Sequence, residues 1–249
     1  MSVVVIGLNH RTASLDLLER LTVDGQRLPK ALHDLASKDN LSEAVVLSTC
    51  NRIEVYAVAE RYHGGFHDVR DFLAESAFLA PEDFADHLYV LHDDEAAAHL
   101  FEVAAGLDSA VLGEHEILGQ VATAWEVARD EGTAGPTLNL LFRHAVELGK
   151  RVRTDTGIGR GITSVSHAAV ALAADRLGTL QGRRVLVVGA GEMGEGMAVA
   201  LADAGAAEVL VANRTAATAT AVAERIGGRP LPLGDLADQL VEVDVLLTS

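Results

Sequence analysis

Cysteine is nearly missing from this chain of 249 residues, with Cys50 the only one. A single thiol excludes an internal disulfide, so nothing in cysteine usage points to a secreted, cross-linked scaffold. Aromatic residues make up only 4% and tryptophan occurs once, whereas apolar residues reach 49%. The core is therefore expected to be built from Ala, Val and Leu, as in soluble α/β proteins. Basic residues are few: 20 Lys and Arg against 36 Asp and Glu give a formal charge of −16. That balance argues against a general nucleic-acid binder but leaves room for one local basic face. No stretch approaches the roughly 18 apolar residues of a membrane span. The opening MSVVVIGLNHRT has neither a basic leader nor an apolar run long enough for a signal peptide. These absences predict a cytoplasmic, enzyme-like chain with no membrane partner, long enough for one large domain or two ordinary ones.

What is present divides near the middle. The first half predicts strands at 3–8, 44–48, 52–58 and 87–91, with helices at 26–36 and 67–78 between them. The order β-α-β-β-α-β is that of a ferredoxin-like unit, an α+β arrangement. Extra helices are expected at 95–105, 116–131 and 137–153. Thr156-Gly157-Ile158-Gly159-Arg160-Gly161 interrupts the helical period and is the linker candidate. A catalytic domain over 1–155, closing on a linking helix at about 137–155, and a second domain over 156–249 are thus expected. In the second, a helix at 164–177 leads to an apolar strand at 183–188. A helix then runs to about 204, followed by a strand at 208–212 and a Thr/Ala-rich helix at 215–223.

Between the strand at 183–188 and its helix lies Gly189-Ala190-Gly191-Glu192-Met193-Gly194. This is G-x-G-x-x-G in the setting that gives it meaning, strand before and helix after, and it predicts an α/β, Rossmann-type dinucleotide domain. The alternative is a glycine-rich turn that binds nothing. The next strand ends in Asn213-Arg214-Thr215, where NAD-binding relatives of this motif carry an acidic residue for the ribose 2′-hydroxyl. A missing carboxylate and a nearby guanidinium favour a 2′-phosphate, hence NADP over NAD. Arg214 read blandly is a solvated arginine at a helix start.

Cys50 lies in LSTCNRIEVY, between a buried-looking strand and one that alternates polar and apolar residues. A thiol at a strand reversal, two residues before Arg52, is a candidate nucleophile. It can capture an acyl group as a thioester that hydride then reduces to an aldehyde. Arg52 is expected to supply positive charge to it; one of the ten histidines could do so as well. From spacing alone, a small strand-end residue without chemistry remains the alternative.

Other features carry less. His63 and His67 are four apart but flank Gly64-Gly65 without a third ligand, so they read as solvated loop histidines and no metal is expected. Residues 143–160 hold five basic and two acidic side chains, a solvated helix face or a local contact for a polyanion. Asp108-Ser109 and Gly113-Glu114-His115-Glu116 fall between helices, where they form a site loop or cap helix ends.

Taken together, Gly7-Leu8-Asn9-His10-Arg11-Thr12-Ala13, Ser48-Thr49-Cys50-Asn51-Arg52-Ile53-Glu54, Gly106-Leu107-Asp108-Ser109 and Gly113-Glu114-His115-Glu116-Ile117-Leu118-Gly119-Gln120 resemble glutamyl-tRNA reductase. So do Gly149-Lys150-Arg151-Val152-Arg153 and the glycine loop, in the family's order over essentially the whole chain. The resemblance implies NADPH-dependent reduction of the glutamyl group of glutamyl-tRNA to glutamate-1-semialdehyde, the first step of five-carbon tetrapyrrole synthesis. It makes Cys50 the nucleophile. Thr49, Asn51 and Arg52 become its substrate-binding neighbours, with Arg52 suited to gripping the substrate carboxylate by two prongs.

Ser109, Glu114, His115, Glu116 and Gln120 match the rest of the glutamate pocket, and His99 matches a histidine important for activity. NADPH would sit on Gly189, Ala190, Gly191, Glu192, Met193 and Gly194, with Asn213, Arg214 and Thr215 beyond. Position 116 is Glu where the family pattern has Gln. The family continues past a strand like the one ending at Ser249, so the chain is expected to be a fragment lacking a helical dimerisation domain. The full-length protein would then be a homodimer, with the downstream glutamate-1-semialdehyde aminotransferase a further candidate partner. Reduction of another activated acyl group, such as an acyl-CoA, and a non-catalytic dinucleotide-binding regulator are the competing readings.

Overall fold

The computed structural model describes residues 2–158 and 164–249. They fall into two compact units, Met1–Arg160 and Gly161–Ser249. Of the linker candidate, Gly159, Arg160 and Gly161 lie outside the described residues.

The first unit is built on a four-stranded sheet. Strand β1 (Ser2–Asn9) is followed by helices α1 (Leu15–Leu21) and α2 (Leu28–Ala36). The hairpin β2 (Leu41–Ser48) and β3 (Arg52–Ala59) follows, then α3 (Tyr62–Ala77) and β4 (Tyr89–His92). The spatial order is β2-β3-β1-β4 with every neighbouring pair antiparallel, which is the topology of a ferredoxin-like βαββαβ unit. Three helices extend it: α4 (Asp94–Ala105), α5 (Glu116–Asp130) and α6 (Pro136–Asp155). Glu43 of β2 fastens α6 at its start, accepting hydrogen bonds from the backbone N–H of Thr137 (3.1 Å) and Leu138 (2.7 Å). A carboxylate there satisfies donors that the first helical turn leaves without partners and favours the positive end of the helix dipole.

Three differences from the sequence reading have physical causes. Helix α1 was not expected, although Ser14 caps it and Leu17, Leu18 and Leu21 turn inward at helical spacing. Helix α3 begins at Tyr62, so His63 and His67 stand exposed on its first two turns and not in a loop. The Gly64-Gly65 pair argued against a helix there, but a Cβ on Gly65 would come within 2.8 Å of the Ala59 Cβ. Close approach of helix to strand outweighs the poor helical propensity of glycine. The third difference is β3. Its period-two alternation suggests one wet face, yet all eight residues are buried. Arg52, Glu54 and Tyr56 point to a polar interior, against which Phe142 of α6 packs edge-on to Tyr56 at 5.2 Å.

The second unit opens with α7 (Val165–Leu177) and carries a parallel sheet. Its elements run β5 (Arg184–Val188), α8 (Glu192–Asp203), β6 (Glu208–Ala212), α9 (Ala216–Ile226), β7 (Arg229–Leu231), α10 (Leu236–Leu240) and β8 (Val245–Thr248). The order β7-β6-β5-β8 is that of a Rossmann-type sheet, in which the strand order reverses between β5 and β8. Ligands of such sheets bind at that switch, beyond the carboxyl ends of the strands, and the glycine loop leaves β5 there.

Candidate active site

The first unit gathers its polar residues around one buried carboxylate. Glu54 is fully buried and its two oxygens take four donors. Arg52 Nη1 (2.7 Å), the Tyr89 hydroxyl (2.5 Å) and His99 Nε2 (2.8 Å) meet Oε1, and the Tyr56 hydroxyl (2.6 Å) meets Oε2. Burial would raise the Glu54 pKa, but Arg52 and then His99 outweigh it and hold the group down at about 2. The same carboxylate keeps Arg52 charged against its own desolvation, and burial together with Glu54 pushes the Tyr56 and Tyr89 hydroxyls up. Room for this charge comes from Gly7, which pairs with Glu54 across the β1–β3 ladder. A Cβ at Gly7 would lie 2.9 Å from the Glu54 Cα and Cγ.

Arg52 is 2% exposed. Its Nη2 donates to the Asp108 carbonyl (2.6 Å) and pairs with the Asp108 carboxylate (3.1 Å). Both terminal nitrogens are thus engaged, and Arg52 as placed is neither a surface residue nor an open two-pronged clamp. A substrate carboxylate reaching it has to take the place of Asp108. The other Asp108 oxygen holds Arg11 at 2.6 Å, a guanidinium whose side chain is 58% exposed. His10, next to it, is held towards its neutral form by burial and by Arg52 and Arg11. Asn9, Arg11, Glu54, Tyr56 and Tyr89 were given no role of their own in the sequence, and Asp108 only a place in a candidate site loop. The signal for Glu54 and Tyr56 was there, as polar residues two and four positions after Arg52.

Cys50 is exposed at the tip of the β2–β3 hairpin. Thr49 holds the turn: its hydroxyl accepts from the Asn51 and Arg52 N–H groups, both at 3.2 Å, and its own N–H donates to the Arg52 carbonyl at 2.8 Å. The Asn51 carbonyl accepts from the His10 N–H (2.9 Å), tying the turn to the end of β1. The loop between α4 and α5 supplies buried Asp108, Ser109 and Glu114. Desolvation and the neighbouring Glu116 raise the Glu114 pKa, and the charge of Arg52 tempers the rise. The Ser109 hydroxyl is buried with no hydrogen-bond partner among the described residues. Arg153 of α6 pins this loop by donating to the Glu114 carbonyl at 2.7 Å. No side chain caps α5, so neither Ser109 nor Glu116 serves that end. His115 and Glu116 are exposed at the start of α5 with Gln120 one turn on, and among the described residues none of the three hydrogen-bonds to the Glu54 cluster.

In the second unit the glycine loop is shaped by its residues. Gly189 has φ +102°, and Gly191, the residue before α8, has open space where a Cβ would stand. A Cβ on Gly194 would run into the Gly189 carbonyl, so the first turn of α8 packs directly on the loop. Glu192 and Met193 open α8. Asn213 tethers the loop to the end of β6, its side-chain oxygen accepting from the Ala190 N–H at 3.3 Å. Arg214 is exposed and Thr215 precedes α9.

Known proteins share this arrangement. A model of the N-terminal domain of glutamyl-tRNA(Glu) reductase matches residues 6–156, and one of shikimate/quinate 5-dehydrogenase matches residues 171–249. The glutamyl-tRNA reductase 1 of a Nocardioides species is 43% identical over 248 residues, covering all of this chain. The chain belongs to the glutamyl-tRNA reductase family. The glutamyl-tRNA reductase of Paenibacillus macerans is 42% identical over 249 residues. The solved glutamyl-tRNA reductase from Methanopyrus kandleri superposes with a TM-score of 0.60 at 39% identity, over 99% of this chain. The chain spans 58% of the length of the Nocardioides and Methanopyrus proteins and 57% of the Paenibacillus one. It carries the family's N-terminal domain and a dinucleotide domain of the nicotinamide-dependent dehydrogenase type. Among the described residues no helix is long and apolar enough to cross a membrane.

Because the folded-state pKa of Glu54 is depressed to about 2 from 4.5, its stabilising contribution is complete above about pH 4.5 and is lost as pH falls towards 2. Urea unfolding at a series of pH values, followed by Trp125 fluorescence, is expected to show Glu54→Gln less stable than the parent at pH 7. The gap should narrow between about pH 4.5 and 2. A gap independent of pH would mean that Glu54 is not charged in the folded protein.

Proposed function

We propose that the chain is the acyl-transfer and cofactor-binding portion of an NADPH-dependent glutamyl-tRNA reductase, forming glutamate-1-semialdehyde for tetrapyrrole synthesis. The observation that carries the reading is an exposed Cys50 at a hydrogen-bonded turn, joined directly to the buried Arg52–Glu54 pair, in a chain of this family. Cys50 Sγ attacks the acyl carbon of the glutamyl ester. The bond from that carbon to the 3′ oxygen of the RNA breaks, and the RNA hydroxyl leaves with the thiol proton.

Asp108 and the partly exposed Arg11 offer an anchor for the substrate's charged ends, and Arg52 joins it if Asp108 yields. His99 gives its Nε2 to Glu54, which supports a positioning role over direct proton transfer by that nitrogen. Glu114 and Ser109 are buried in the same loop as Asp108, and in this reading they line the glutamate pocket. Thr49 and Asn51 shape the nucleophile's turn. His115, Glu116 and Gln120 line the pocket in this reading because they match the family's pocket positions.

The second unit fits a dinucleotide. Open space at Gly191 allows a pyrophosphate to approach the start of α8, Met193 and Gly194 continue that turn, and Asn213 fixes the loop at Ala190. When bound, the cofactor supplies the hydride that converts the thioester to an aldehyde. Arg214 is exposed beside Thr215 at the end of β6 and makes no ion pair among the described residues, which supports a 2′-phosphate and hence NADPH. Homodimerisation, a cytoplasmic location and hand-over to an aminotransferase belong to this reading of the full-length protein.

Cys50→Ser should lose release of the RNA from glutamyl-tRNA, since a hydroxyl is a far weaker nucleophile than a thiolate at neutral pH. The test is deacylation of glutamyl-tRNA by parent and variant, and parental rates in the variant would end the covalent mechanism. Arg214→Ala should weaken NADPH binding about fivefold to a hundredfold more than NADH binding, from the roughly 1–3 kcal/mol of a charged contact. Titrations of nicotinamide fluorescence read both constants. Equal weakening of the two would remove Arg214 as the phosphate reader.

A further inference from the structure

Helix α6 has an outer face that the site does not use. Phe142, Ala145, Val146 and Gly149 turn inward, leaving Arg143, Lys150 and Arg151 exposed along the outside of a chain whose formal charge is −16. Arg143 and Lys150 make no ion pair among the described residues, and Arg151 reaches only Asp155, at 4.0 Å. The other carboxylate along this face, Glu147, faces His144 at 3.6 Å. Where α6 begins, Trp125, Arg129, Asn139 and Arg143 line a depression of about 350 Å³. The Trp125 indole N–H is satisfied by Asn139 at 2.8 Å, and Arg129, itself bonded to Asp130, sits 5.8 Å from the ring centre. At its other end α6 touches the site loop, through Arg153 and the Glu114 carbonyl.

We propose that this face is a track for the single-stranded 3′ end of an RNA, with phosphates on Arg143, Lys150 and Arg151 and a base against Trp125. The inference rests on the reading of the substrate as an RNA-borne acyl group and adds where that RNA lies. Exposed cations, two of the three without an ion-pair partner among the described residues, followed at one end by an indole with a guanidinium beside it, are a combination that binds single strands. The eight helical steps from Arg143 to Arg151 span about 12 Å, the rise of three or four stacked nucleotides at about 3.4 Å each. The track ends within one helical turn of the arginine that holds Glu114.

The test is the triple variant Arg143→Gln, Lys150→Gln, Arg151→Gln, all exposed and replaced by a good helix former. Dissociation constants for glutamyl-tRNA are measured from low to physiological salt. The slope of log K against log salt should be shallower by about 2 in the variant, at about 0.7 per phosphate contact. Acylation of Cys50 by a small activated glutamyl ester should be unchanged. A short single-stranded oligoribonucleotide should quench Trp125, the only tryptophan, and polyglutamate should not. Identical salt slopes in parent and variant overturn the track. Equal quenching by polyglutamate also overturns it, in favour of an acidic protein partner. Should the slope change while Cys50 takes no acyl group from either donor, the track stands and the reading of the thiol fails.

Discussion

A carboxylate with no exposure to water is the constraint on which the first unit depends. Taking Glu54 out of water costs several kcal/mol, and only donors placed around it offset that cost. The chain provides four, from Arg52 and Tyr56 on the same strand, Tyr89 on the neighbouring edge and His99 on α4. None can be moved without leaving a buried charge short of a partner, so strand pairing, helix placement and loop conformation are fixed together. Arg52 passes the constraint outward to Asp108, and Asp108 passes it to buried Asn9 and to Arg11 at the surface. The chemistry proposed for Cys50 sits on the rim of this cluster, two residues from Arg52 and four from the central carboxylate along the chain.

The cluster also changes the electrostatics expected at the thiol. Arg52 read alone is a positive neighbour that activates a cysteine. In the folded unit its charge is answered by Glu54 and Asp108, and the cations facing outward are Arg11 and, further along, those of α6. Outward-facing charge thus lies at the periphery, while the interior keeps geometry. In the second unit glycines shape the loop, Asn213 fixes it and Arg214 is exposed beside it.

Much of this was legible in the sequence because it depends on local pattern. The β-α-β-β-α-β order, the glycine motif between strand and helix, and the hairpin that carries Cys50 follow from periodicity and turn chemistry. The resemblance to glutamyl-tRNA reductase rested on the same short motifs, and family models and relatives cover the same stretches. What stayed hidden depends on contacts distant in sequence. Arg52, Glu54 and Tyr56 look like the wet face of an edge strand until α4, α6 and β4 are laid over them. The partner of Glu54 at His99 is 45 residues away and that of Arg52 at Asp108 is 56 away, so no local rule pairs them. Helix α3 was shortened for the opposite reason, since its two glycines serve close packing against Asn40 and Ala59 and do not break the helix.

The central claim is that this rigid cluster presents Cys50 as an acyl acceptor. The most direct measurement is the mass of the intact chain after incubation with glutamyl-tRNA in the absence of any cofactor, followed by peptide mapping. The account predicts one added glutamyl group, on the peptide containing Cys50, released by hydroxylamine as a thioester is. An unmodified chain, or a glutamyl group found on any other residue, would contradict it.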